Sequence, residues 1–191
     1  MCIRDSGCDV PRVLGSRATH VGSRMGGFRG RALAAGDVLA AGDGIAREVR
    51  AGDHRTGAAR TARRVRVLPG PHDGRFGTAG AAALAHAVYR VGAASDRMGY
   101  RLEGPPLEQA GPELLSAAVP AGAIQVPPSG EPIILMADRP TTGGYPRIGT
   151  VISADMPVVA QLAPGERIEF ETCSQEVAVR ALIDQERGLL A

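Results

Sequence analysis

The chain contains no lysine: all 22 of its basic side chains are arginine. That absence removes whole classes of chemistry. A Schiff-base lysine, the lysine of a phosphate-binding P-loop and a biotin-bearing lysine all need an ε-amino group, so no biotin is attached to this chain. Cysteine is scarce and odd in number. Cys2, Cys8 and Cys173 show no metal-like spacing, which indicates a reducing compartment without a disulfide framework. No apolar run approaches the ~20 residues of a membrane span, and no signal-peptide pattern is present. A cytoplasmic, soluble chain is the expectation. The net charge is only +2 over 191 residues, which argues against nucleic acid or a membrane surface as partner. His20, His54, His72 and His86 are scattered, so no metal site is expected. No G-x-S-x-G elbow occurs, and a hydrolase triad has no support.

What is present is an ordinary globular composition, 44% hydrophobic and 22% charged, long enough for one full domain with a core and some extra. Residues 1–6, MCIRDS, read as a leader foreign to the rest of the chain. Residues 15–39 are glycine-rich and turn-punctuated, with Val38 and Leu39 opening a strand after a Gly36-Asp37 turn. Residues 40–63 are built mainly from Ala, Gly, Arg and Asp and read as a linker or exposed connection. From Arg64 the pattern sharpens. Val65 and Val67 alternate with Arg64 and Arg66, as in a half-buried strand. Residues 79–91 show helical spacing, with Leu84, Val88 and Val91 on one face. Met98, Tyr100 and Leu102 alternate with Arg97, Gly99, Arg101 and Glu103 in a strand that puts two arginines and a glutamate on one side. IILMA, residues 133–137, suggests a strand buried on both faces. Further strands run through Ile148, Thr150 and Ile152, and through Ile168, Phe170 and Thr172. Ser174 can cap a last helix with an apolar stripe of Val179, Leu182, Ile183 and Leu190. Many short strands, two helices and frequent Gly/Pro turns predict a mainly-β barrel or sandwich with a few helices. LAAGDVL, residues 33–39, echoes LAPGERI, residues 162–168, as a duplicated architecture would.

Two stretches carry the candidate chemistry. Thr141-Thr142-Gly143-Gly144-Tyr145 sits between two predicted strands. It reads either as a hairpin turn or as a ligand-binding loop whose backbone N–H groups and hydroxyls face an anion or carbonyl. It is no Walker A loop, because the lysine is missing and no helix comes after it. In SDRMGYRLEG, residues 95–104, Asp96, Arg97, Arg101 and Glu103 crowd one short segment. Arg97 and Arg101 on one face either grip a carboxylate by paired hydrogen bonds or form a structural ion-pair cluster.

SDRMGYRLEGPPL, followed by GAIQVPPSGEPIILMADRPTTGGYPRIGTVISADMP, closely resembles the biotin-dependent carboxyltransferase family, which includes the allophanate hydrolase subunit 2-like proteins and the C-type subunits of 5-oxoprolinase. DVPRVLGSRATH and GGFRGRALAAGDVL upstream fit the same family. The resemblance implies two tandem cyclophilin-like β-barrel domains. On that basis residues 7–40 are the remnant of an incomplete first domain, 41–63 a connection, 64–174 the second domain and 175–191 a C-terminal helix. It implies ATP-dependent opening of 5-oxoproline to glutamate, in a complex with B-type and A-type (LamB/YcsF-like) partner subunits. The alternatives are carboxyl transfer from carboxybiotin to urea, and a non-catalytic role binding a kinase-inhibitor-like partner. The expected roles come from the amide chemistry. Asp96 or Asp138 would act as base. Thr141, Thr142, Gly143 and Gly144 would donate to a carbonyl oxygen. Arg97 and Arg101 would hold a substrate carboxylate, and Tyr100, Gln125 and Tyr145 would complete the pocket. As a fragment, the chain is expected to be inactive alone.

Overall fold

The computed structural model describes residues 8–40 and 64–190. The proposed leader and connection lie outside the described residues. The chain divides into two compact units, Met1–Arg55 and Thr56–Ala191. In the first, β1 (Thr19–His20) pairs antiparallel with β2 (Met25–Gly26). The strand expected at Val38 and Leu39 does not form, and Val38 is 87% exposed.

The strands of the second unit are β3 (Arg64–Pro69), β4 (Val88–Val91), β5 (Gly99–Glu103), β6 (Ala117–Ala118), β7 (Ala123–Gln125), β8 (Ile133–Leu135), β9 (Thr142–Gly143), β10 (Arg147–Val151) and β11 (Arg167–Thr172). Seven of them close into a barrel in the order β10-β3-β11-β4-β5-β8-β7. Within it only β3 and β11 pair in parallel. The two shortest, β6 and β9, form a separate small sheet. The helices are α1 (Gly77–His86), α2 (Met156–Ala160) and α3 (Gln175–Leu190).

Period-two patterning explains the barrel. Val65 and Val67 of β3 point inward, and so do Ile168 and Phe170 of β11; all four are buried. Tyr89 joins them with its ring edge-on to Phe170, centroids 5.9 Å apart. Its hydroxyl donates to the Pro105 carbonyl at 3.2 Å, and burial pushes its pKa up to about 12. Each such apolar side chain contributes about 1.5–3 kcal/mol by leaving water. Arg64 and Arg66, which alternate with the valines, pair with acids on neighbouring segments, one on β11 and one in the turn after β10. Arg64 meets Glu169 at 3.2 Å, and Arg66 meets Asp155 at 2.6 Å. Gly149 of β10 lies so close to β3 that a Cβ there would sit 2.3 Å from Val67 Cγ1.

Two expectations need correction here. The helix read over 79–91 stops at His86, because Ala87 is extended (φ −91°, ψ 148°). Val88–Val91 is instead a strand with alternating burial. The β-branched and aromatic residues after Ala87 prefer the pleated surface, and the Leu84/Val88/Val91 spacing straddles two elements. Second, of the two readings open for residues 141–145, the hairpin turn is ruled out. The strands before and after them, β8 and β10, do not pair with each other, and Thr142–Gly143 pairs with β6 instead. No described helix is long and apolar enough to cross a membrane.

Candidate functional site

The barrel unit opens into a cleft of about 300 Å³. Its polar wall is the loop entering β5. Asp96 Oδ1 accepts from the N–H of Met98 at 2.8 Å and of Gly99 at 3.2 Å. This folds the short Asp-led turn on its own backbone, as Asp side chains do. Ser95 Oγ accepts from the Arg101 N–H at 3.0 Å. The loop is then tied to the segment after β8. Met136 N–H donates to Met98 O at 3.0 Å, and Asp138 N–H to Arg97 O at 2.8 Å. The side chains repeat this link: Arg97 Nε meets Asp138 Oδ2 at 2.6 Å, and a terminal nitrogen meets Oδ1 at 3.0 Å. The fork-on-fork geometry fixes the pair's orientation. Ser95, Asp96, Arg97 and Tyr100 line the cleft beside an apolar wall that includes Val91, Met136, Leu162 and Pro164.

Thus Asp96, Arg97, Tyr100 and Asp138 come together, although Asp138 lies 41 positions beyond Arg97. Arg101 does not join them. It sits on β5, one residue beyond Tyr100, and points to solvent. Arg97 and Arg101 therefore do not form one fork, and Arg97 is engaged by Asp138. Asp96 and Asp138 both have carboxylate oxygens committed to hydrogen bonds.

Thr141, Thr142, Gly143, Gly144 and Tyr145 do not line this cleft. One of them, Gly143, lies against Gln125. Gln125 is only 5% exposed, and among the described residues its Nε2 has no hydrogen-bond partner. The Gly143 Cα covers it: a Cβ there would stand 2.5 Å from that nitrogen. Thr141 contributes its carbonyl, which accepts from the Val119 N–H at 3.1 Å. Gly143 and Gly144 keep negative φ. Gly144 lies by Leu114 and Ser116, and Tyr145 is 48% exposed. Beside Gln125 across the ladder is Arg147, which donates to Ala118 O at 3.1 Å. His72 Nδ1 accepts from the Arg147 N–H at 3.2 Å. Burial and the guanidinium groups of Arg147 and Arg75 lower its pKa.

Sequence reasoning did not assign Leu162, Pro164 or Arg147 to a site. Leu162 and Pro164 lie in the LAPGERI echo, which was the available signal. For Arg147 the signal was its place opposite Gln125, which needs the strand register.

A family model described as carboxyltransferase domain, subdomain A and B, matches residues 1–172. The C-type subunit of 5-oxoprolinase from Escherichia coli (strain K12) is 41% identical over 184 residues, covering 95% of this chain and 58% of the relative. The urea amidolyase of Lachancea kluyveri is 30% identical over 200 residues, covering 90% of this chain and 11% of the relative. The crystal structure of the K. lactis urea amidolyase superposes with a TM-score of 0.76 at 29% identity, over 95% of this chain and 12% of that one. The chain thus spans about three-fifths of the bacterial relative's length.

Proposed function

The chain belongs to the carboxyltransferase-domain family, and on that premise we propose that it serves as the carboxyltransferase-domain subunit of an ATP-dependent 5-oxoprolinase complex. The complex would open 5-oxo-L-proline to L-glutamate with B-type and A-type (LamB/YcsF-like) partners. One observation carries this reading: identity to the E. coli 5-oxoprolinase protein is 41%, against 30% to the urea amidolyase, over similar shares of this chain. The cleft suits the substrate class. Its apolar wall accepts the ring methylenes, while Ser95, Asp96 and Tyr100 offer polar groups to the lactam, and Asp138 is joined to the cleft through its pair with Arg97. Opening a lactam needs donors on the carbonyl oxygen and a group that handles the amide proton. Asp138, held by Arg97, is the candidate for the proton. Thr142, Gly143 and Gln125 remain the second candidate group of donors. The cleft's guanidinium is engaged by Asp138 and the chain has no lysine, so the cleft does not fit a triphosphate. No step through ATP or carboxybiotin is assigned to its residues.

The test is reconstitution with both partner proteins, reading glutamate formation against ATP hydrolysis. Arg97→Ala and Asp138→Asn should each lower kcat/KM by roughly 1.5–3 kcal/mol, the worth of a charged hydrogen bond. Unchanged kinetics in both would move the site to the Gln125 group. The fold match to the urea amidolyase favours one other reading, carboxyl transfer to urea. Carboxybiotin-dependent carboxylation of urea, with 5-oxoproline inert, would establish it instead.

A further inference from the structure

The last helix, α3, touches the barrel unit along one side only. Ala178, Ala181 and Gln185 are its half-buried positions, and Gln185 Nε2 reaches Ala154 O at 3.4 Å. At 100° per residue, the opposite side presents Val179 and Ile183, 49% and 42% exposed. The apolar stripe expected to seat this helix is therefore turned outward. A shallow groove runs along it, bordered by Glu176, Arg180, Asp184 and Arg187. Glu176 and Arg187 stand near the two ends of this face, with Arg180 and Asp184 between them.

We propose that the outer face of α3 docks against the same face of a second copy of the chain, as a two-fold antiparallel helix pair. The charge order selects this occupant. Reversing the helix about a midpoint at Ala181 and Leu182 sets Glu176 opposite Arg187, Arg180 opposite Asp184 (displaced by one position), and Val179 opposite Ile183 in the same way. All four charges meet their opposites, and both apolar residues meet each other. A two-fold axis repeats every pair, as an isologous interface requires. A parallel pairing would set each charge against its own kind, which costs free energy and selects against that register. A helix face serving only as solvated surface has no need of Val179 and Ile183 between the charges. The helix is about 24 Å long, so the contact is modest and its dimer should dissociate on dilution.

Sedimentation velocity on the full chain, over a wide concentration series, tests this. The wild type should show a concentration-dependent monomer–dimer equilibrium. Ile183→Asp removes the central contact twice, once per copy, and should raise the dissociation constant by about 100-fold or more. Arg180→Asp should weaken it about tenfold. Arg180→Asp combined with Asp184→Arg should return it to within about threefold of wild type, because the swapped charges again face their opposites. Circular dichroism checks that α3 survives in each variant. If Ile183→Asp disturbs the helix, the charge-reversal pair, at exposed positions, still decides. A monomeric wild type at all concentrations, a dimer indifferent to Ile183→Asp, or a double reversal that fails to restore association would each overturn the proposal. A monomer whose α3 amides are nonetheless protected would overturn it too, and would assign the face to another occupant.

Discussion

Two turns, one in each unit, are built alike and lead to different structures. In residues 34–37 the Asp37 N–H donates to Ala34 O at 3.1 Å, and in residues 163–166 the Glu166 N–H donates to Ala163 O at 3.0 Å. Both acids bend back to accept from the alanine N–H, Asp37 at 2.7 Å and Glu166 at 2.8 Å. Both glycines take the left-handed region, Gly36 at φ 91° and Gly165 at φ 86°. The echo between LAAGDVL and LAPGERI is thus an echo of structure. After the second turn the chain enters β11, flanked by β3 and β4. After the first, Val38 stands exposed and no strand forms. Four residues suffice to specify the turn, because the bonds common to both are made within those residues. They do not dictate a strand, whose backbone groups need partners from elsewhere in the chain.

The largest test of that difference lies two residues past each turn. Ile168 is fully buried, whereas Leu39, in the matching place, is half-buried. Ile168→Ala should destabilise the barrel by about 2–5 kcal/mol, as large-to-small changes in a packed core do. Leu39→Ala should cost less than about 1 kcal/mol. Chemical denaturation of both variants reads the contrast, and equal losses would show that the first turn also feeds a packed strand.

The glycines should give a smaller and equal effect. A Cβ at Gly36 or at Gly165 would meet nothing within 4 Å, so only backbone strain opposes substitution. Gly36→Ala and Gly165→Ala should each cost roughly 1–2 kcal/mol of local stability. Hydrogen exchange at the Asp37 and Glu166 amides measures each turn separately. A difference well above about 0.5 kcal/mol, the size of ordinary non-additivity, would mean that the turns are not equivalent.

The same contrast separates what the sequence discloses from what it withholds. Local codes were legible: the alternation of Val65 and Val67, the run at Ile133, the alternation around Phe170, and Ser174 before α3, whose Oγ accepts from the Val177 N–H at 3.4 Å. The density of Asp96, Arg97 and Tyr100 pointed to residues that do share a cleft. Contacts made at a distance were not legible. Nothing near Thr142 says that β6 will pair with it, so a hairpin turn and a ligand-binding loop both stayed open. Arg97 finds Asp138 and not Arg101 as neighbour because strand alternation sends Arg101 outward. The stripe at Val179 and Ile183 was visible, but a periodic pattern names an apolar face without naming what covers it.

The smallest effect concerns the acid that closes the first turn. Arg31 forks onto Asp37, with its two terminal nitrogens 2.6 and 2.7 Å from the carboxylate oxygens. That hydrogen bonding first, and the Ala34 N–H second, lower the Asp37 pKa from 3.8 to about 2. The Arg31 guanidinium also lies 5.0 Å from the centre of the Phe28 ring, which restricts its swing. A folded pKa below the unfolded one means that the charged form is favoured by folding. The stabilisation from this carboxylate is therefore complete above about pH 4 and is lost as pH falls through about 2. Because the pair is near the surface, salt screening keeps the effect on overall stability small. The titration itself is the better readout. A carboxyl-carbon NMR titration should find Asp37 with a midpoint near 2, and Arg31→Leu should move it up toward 3.8. A wild-type midpoint already near the ordinary value would show that Arg31 does not hold the turn in solution. The first turn would then rest on the bonds among residues 34–37.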